Sequence, residues 1–192
     1  MAKNSEQQFS ALLGKALKAK FEPSYAISEK KALLYKLHLD PNLHIQPSPT
    51  SEATIEPKRG VYAFETDLLI EDSHRPLVVC ELKLGITSHD VITYSAKAAK
   101  HKEIYPFLRY GLLIGGQSTV DARFFTHNSD LDFVLALSLD QPALGQQFTV
   151  LYDLVENQIK SAERLVRVFQ RSRVSRYESR IEIEAGEEPS RT

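Results

Sequence analysis

Residues 61–85, VYAFETDLLIEDSHRPLVVCELKLG, restrict the possible folds more than any other stretch. Two apolar runs, Val61–Ile70 and Leu77–Leu84, flank a polar cluster of Glu71, Asp72, Ser73, His74, Arg75 and Pro76. β-rich runs around a turn cluster predict an antiparallel strand pair. Side chains alternate faces along a strand, so Glu65 and Asp67 share one face of the first strand. Glu81 and Lys83 share one face of the second, with Cys80, Leu82 and Leu84 on the other. A buried carboxylate without a partner costs on the order of several kcal/mol. Three carboxylates and an ammonium gathered on one sheet face would avoid that cost if a metal ion joined them.

The 192 residues, 42% hydrophobic and 26% charged, suit one domain with a sheet covered by helices. Its expected extent is residues 1–181, leaving 182–192 as an acidic, disordered tail. The net charge of −1 means that attraction to nucleic acid must come from local patches. The single cysteine, Cys80, excludes an intrachain disulfide and suits a reducing cytoplasm. Its place in an apolar strand predicts a buried structural thiol. The N-terminal MAKNSEQQF has no apolar secretion signal, and no run reaches the roughly 18 apolar residues of a membrane span. A soluble, cytoplasmic protein is expected.

Along the chain, Phe9, Leu12, Leu13, Ala16 and Leu17 predict a helix over 5–20, with Ser5 and Gln8 as a capping box. Glu6 sits at the end of its buried face, either favouring the helix dipole or reaching toward a metal site. Residues 28–39 read as a helix through Leu33, Leu34 and Leu37, against a competing strand alternation of Tyr35, Leu37 and Leu39. Asp40-Pro41 ends that element. His38, Asp40 and His44 match no common metal-site spacing and read as surface residues. Pro41, Pro47, Pro49 and Pro57 mark a loop, with an extended segment near 43–46.

Ser88 caps a predicted helix running to about Tyr105, with Tyr94, Lys97 and His101 on one face and Lys100 and Lys102 beside them. Leu108–Ile114 and Asp132–Leu139 are strand candidates, joined by a loop holding a short helix. The pair Gly115-Gly116 lacks the following Gly-Lys-Ser/Thr of a phosphate-binding P-loop. A long helix is expected over 142–173. Its apolar stripe is Leu151, Val155, Ile159, Ala162, Val166 and Phe169. A basic stripe, Lys160, Arg164, Arg167 and Arg171, continues through Arg173, Arg176 and Arg180 against only Glu163 and Glu178. Such a run is a solvated face, a phosphate contact or a subunit interface.

The Glu-x-Lys triplet occurs three times, at 29–31, 56–58 and 81–83. Only the last lies in a β-rich run that follows another run carrying an acid. With Asp67 in FETDLLI and Glu81-Leu82-Lys83 in VVCELKLG, the chain resembles the PD-(D/E)XK nuclease superfamily over roughly residues 5–138. Thr66 stands where that family often has proline. The resemblance implies a restriction-endonuclease-like α/β fold: a central mixed sheet flanked by helices, with the long C-terminal helix outside the core. It implies a Mg²⁺-dependent endodeoxyribonuclease of restriction, defence or repair type, Mn²⁺ substituting, or an inactive binding module with the same fold.

Asp67, Glu81 and the Leu82 carbonyl would hold the ion, matching the preference of Mg²⁺ for hard oxygen donors. Lys83 would orient or help deprotonate the attacking water, Glu6 would contact a second ion or bound water, and Lys97 would reach the scissile phosphate. Tyr94, Lys97, Lys100, His101, Arg164, Arg167 and Arg171 are the expected DNA contacts. A homodimer would let two sites cut both strands. Residues 40–60 and 115–130, long and polar, are the candidate specificity loops.

Overall fold

A computed structural model of the chain describes residues 2–39, 41–46, 62–138, 144–171, 175–176 and 183. Helix α1 (Ala2–Phe21) buries Phe9, Leu13, Leu17 and Phe21, a stripe with one residue per turn. It starts before Ser5, so that residue lies inside the first turn and is not its cap. The strand β1 (Ala26–Glu29) follows.

The helix expected over 28–39 does not form. Lys30 turns the chain with φ of 56°, and β2 (Ala32–Leu34) and β3 (His38–Leu39) come next. The strand alternation prevails because each piece finds a partner: β3 pairs with β4 (Ile45–Gln46), and β2 with β5 (Ala63–Glu65). The proline-rich loop over 47–61 lies outside the described residues, as does the acidic tail apart from Ile183.

The central hairpin is β6 (Leu68–Asp72) and β7 (Arg75–Leu84). Its turn is tighter than the sequence suggests. Ser73 and His74 alone connect the paired Asp72 and Arg75, both with positive φ (48° and 70°), as a two-residue type I′ turn requires. The first apolar run splits at Thr66-Asp67. Glu65 therefore belongs to β5 in a separate ribbon, and Asp67 occupies the bend that leads into β6.

Helix α2 (Ser88–Ile104) is capped by Thr87 and not by Ser88: the Thr87 hydroxyl accepts from the Asp90 N–H, and the Asp90 carboxylate accepts from the Thr87 N–H. Then come β8 (Arg109–Gly115), the short α3 (Ala122–His127), β9 (Phe133–Leu137) and α4 (Leu144–Arg171). The five-stranded sheet runs β1-β6-β7-β8-β9, antiparallel through β7 and parallel beyond it. The parallel step needs a crossover, which α2 supplies.

Both sheet faces are covered, which explains why β7 is buried over most of its length. Val78, Cys80 and Leu82 pack with α1 and α4 through Leu13, Leu17, Leu151, Val155 and Ile159. Val79 packs with Tyr110, Leu112, Val91 and Ala98 toward α2 and α3. The chain is thus an α/β protein with a mixed sheet between helices. Cys80 is the buried thiol expected, its pKa pushed up to about 12 by burial and then by the neighbouring Glu81. Among the described residues no helix is long and apolar enough to cross a membrane.

Candidate active site

Alternation along β7 puts Glu81 on the α2 face, 1% exposed, in an otherwise apolar layer. Asp67 approaches from the bend before β6. Its Oδ2 accepts the Leu82 N–H at 2.8 Å, and its Oδ1 accepts from the Lys30 ammonium. Register explains the first bond. β6 begins opposite Cys80, so the Leu82 amide beyond it has no β6 residue to meet. Glu81 Oε1 accepts the Tyr110 hydroxyl, and Lys97 Nζ lies 3.2 Å from the same oxygen. Asp67 and Glu81 are themselves within hydrogen-bonding reach.

This environment drives the two acids apart in proton affinity. Burial, with the adjacent Asp67 charge, raises the Glu81 pKa to about 7 against the opposing pull of Lys97 and Tyr110. Burial also works on Asp67, but the Leu82 amide, Lys30 and Glu81 together hold it below its ordinary value. At neutral pH the pair therefore keeps one firm negative charge and one titrating group, the pattern of interacting carboxyls at functional sites. Asp67 and Glu81 open onto a cavity of about 310 Å³, also lined by Tyr35, Phe64, Glu65, Tyr94 and Lys97.

Lys83, next on this face, lies 3.4 Å from Glu6 of α1 and 6.0 Å over the Tyr94 ring. Lys97 lies 5.1 Å over that same ring. Tyr94 thus lies near both ammoniums, and burial raises its pKa well above the usual phenol. Glu6 sits at the site's edge, paired with Lys83.

Two groups of expected DNA contacts fall elsewhere. His101 is wholly buried, donating Nδ1–H to the Leu34 carbonyl at 2.8 Å and stacking on Tyr110 with centroids 5.6 Å apart. The α2 face that carries it points into the protein, so His101 supports the site from beneath and does not reach a ligand. Arg164 and Arg167 are exposed, but α4 packs on the opposite sheet face from Glu81. Arg171 ends that helix. Lys100 remains exposed on α2.

The sequence patterns do not mark Lys30, Tyr110 or the Tyr35–Phe64 pair as site residues. Lys30 and Lys31 lie in a Glu-x-Lys triplet assigned to a helix, yet Lys30 reaches Asp67 and Lys31 grips the buried Glu71 at 2.8 Å. The only signal for them was the strand alternation that begins at Tyr35. Thr66 has a structural explanation. It is fully buried, and both its N–H and its hydroxyl donate to the Lys31 carbonyl at 2.9 Å. A proline there could make neither bond.

Comparison with protein-family models and with curated proteins returns no match.

Can these residues hold a divalent cation? Among the described residues no group of three or more His, Cys, Asp or Glu is gathered as a ligand set. Mg²⁺ does not need one, because it is commonly held by one or two carboxylates and keeps several waters. The donors fit that pattern: two carboxyl groups close enough to share a proton, one of them buried, both drawing on cationic side chains. The N–H and C=O of a strand residue point the same way, so the amide bond to Asp67 also turns the Leu82 carbonyl toward this acid.

Proposed function

We propose that this chain is a metal-dependent endonuclease that hydrolyses DNA phosphodiester bonds, on a restriction-endonuclease-like core. One observation carries the reading: the acid before β6 and the acid of the β7 Glu-x-Lys triplet meet in one cavity, with the triplet's lysine on the same face. The main sheet, in which α1 precedes three antiparallel strands and a crossover helix leads to two parallel strands, is compatible with the mixed sheet flanked by helices that the sequence resemblance implies.

Asp67, Glu81 and the Leu82 carbonyl would hold Mg²⁺, or Mn²⁺ in its place. When bound, the ion supplies charge that polarises phosphate and acidifies water. Hydrolysis joins a water oxygen to phosphorus and breaks one P–O ester bond. A base takes the water's proton and the departing oxygen gains one, leaving a phosphate monoester and a hydroxyl. The Leu82 amide fixes Asp67 for this work, and the Tyr110 hydroxyl fixes Glu81. Lys97, 3.2 Å from Glu81, would meet a phosphate oxygen of the substrate. Lys83, steadied by Glu6, orients the water and offsets negative charge as it builds on the phosphate.

Supercoiled plasmid is the direct test. The wild-type protein is expected to nick it with Mg²⁺ and not with chelator, while Asp67→Asn and Lys83→Ala each lose at least about a hundredfold in rate. Undiminished cutting by Lys83→Ala would remove this mechanism.

A second reading is a nucleic-acid-binding module that keeps the fold without cutting. It is favoured by the way Lys30 and Lys97 already neutralise the acids. DNA binding that is indifferent to divalent cations, with no nicking, would select it.

A further inference from the structure

The insertion between β1 and β6 brings aromatic rings and ammonium groups to the mouth of the acidic cavity. Pairing of β2 with β5 places Tyr35 beside Phe64, and the Tyr35 N–H extends the ladder by donating to the Tyr62 carbonyl at 2.8 Å. Tyr35 stacks on Phe64 with centroids 4.1 Å apart and an interplanar angle of 17°, and meets Tyr62 edge-on at 6.5 Å. Tyr35 and Phe64 line the same cavity as Asp67 and Glu81.

Each ring carries a cation over it. Lys36 lies 5.4 Å from the Tyr62 centroid, Lys100 5.6 Å from that of Tyr35, and Lys97 5.8 Å from that of Phe64. Lys36 and Lys100 are exposed. Tyr35, Tyr62 and Phe64 are themselves only partly buried.

A file of aromatic rings flanked by lysines has two chemistries side by side. Ring faces take the flat surface of a nucleobase, and ammoniums take the phosphate between bases. Bases in an intact duplex are already stacked on their neighbours, so only unpaired nucleotides can use such rings. We propose that Tyr62, Tyr35 and Phe64, with Lys36 and Lys100, form a stacking platform for single-stranded DNA leading to the acidic pair. The substrate is then a strand, or a junction with an unpaired arm. This rests on the hydrolase reading for the chemistry at the end of the platform, but not for binding to the platform itself.

Fluorescence anisotropy with a labelled oligothymidylate, in Ca²⁺ and in chelator, tests the binding apart from cutting. The wild-type protein is expected to bind the single strand at least about tenfold more tightly than a duplex of equal length. Tyr35→Leu and Tyr62→Leu should each weaken single-strand binding about tenfold, with thermal melts confirming that the variants fold. Because Tyr35 packs on Phe64, the Tyr62 variant and Lys36→Gln, which lowers the salt dependence, carry the test if Tyr35→Leu unfolds. Equal affinity for duplex, or single-strand affinity untouched in the Tyr62 and Lys36 variants, overturns the platform. Tighter binding of the matching RNA strand overturns DNA as its ligand. Plasmid cutting that survives with no single-strand preference sinks the platform alone. Tyrosine-dependent strand binding without any cutting supports the platform and sinks the hydrolase.

Discussion

Glu81 and His101 both contact Tyr110, one accepting its hydroxyl and the other stacked on its ring, and their proton affinities are shifted in opposite directions. Glu81 is raised from 4.5 to about 7 by burial and Asp67, so its contribution to stability is full below pH 4.5 and is lost as pH rises through about 7. His101 is lowered from 6.5 to about 4, first by burial, so its contribution is present above pH 6.5 and is lost as pH falls through about 4. The two act in overlapping windows with opposite sign. Without divalent cation, Glu81→Gln, which keeps an oxygen for Tyr110, should move the pH of maximum stability upward and gain on the order of 3 kcal/mol at alkaline pH. His101→Phe keeps a ring for Tyr110 but cannot titrate, and it should move the optimum downward. Thermal melts across pH measure both shifts, and an optimum fixed in the Glu81 variant would mean that the carboxyl ionises freely in the fold. None of this was legible in the sequence, where His101 reads as a third polar residue on the Tyr94–Lys97 face. A helical repeat shows which residues share a face, but not whether that face points to solvent or to the sheet.

Elements were legible where their pattern was local, and lost where a strand needed a distant partner. α2, β8, α4 and the β6–β7 pair follow from periodicity and turn chemistry within a few residues of each. β2 has three residues and exists because β5, some thirty positions on, pairs with it. No propensity over 28–39 encodes that partner, so the leucine spacing there reads equally as a helix. Thr66 fastens this ribbon to the main sheet. Its two bonds to the Lys31 carbonyl hold the bend that aims Asp67, while the Lys30 N–H bonds back to the Asp67 carbonyl at 3.2 Å. Placing a proline at position 66 should therefore harm this protein. Thr66→Pro removes both donors and is expected to cost about 2–3 kcal/mol, whereas Thr66→Val removes only the hydroxyl and should cost about 1 kcal/mol. Urea denaturation gives both values, and a Thr66→Pro variant as stable as wild type would mean that the bend is set by something other than these bonds.

At the scale of the whole molecule, the sheet separates two charged surfaces that the sequence presents as one DNA-binding set. α4 buries Leu151, Val155, Ile159, Ala162 and Val166 against β7 and α1, so that part of its apolar stripe serves the core, while Phe169, the last residue of the expected stripe, is exposed. Sedimentation equilibrium with and without DNA measures whether a homodimer, which would bring two sites to two strands, forms. The outward face of α4 keeps Arg164 and Arg167, with a sheet and a helix layer, roughly 10 Å each, between it and the ligands that α2 would meet. A strand that enters along Tyr62 and Tyr35 and ends at Glu81 stays on the α2 side throughout. Reversing both arginines to glutamate is then expected to change single-strand affinity less than about threefold at physiological salt, where charges farther apart than a Debye length are screened. Lys97→Ala and Lys100→Ala, on the ligand side, should together weaken binding more than about tenfold and flatten its salt dependence by about two phosphate contacts. Anisotropy titrations over a salt series separate the two sets. A larger loss from the arginine pair would mean that DNA wraps around the sheet edge onto α4, so that the basic stripe is part of the track after all.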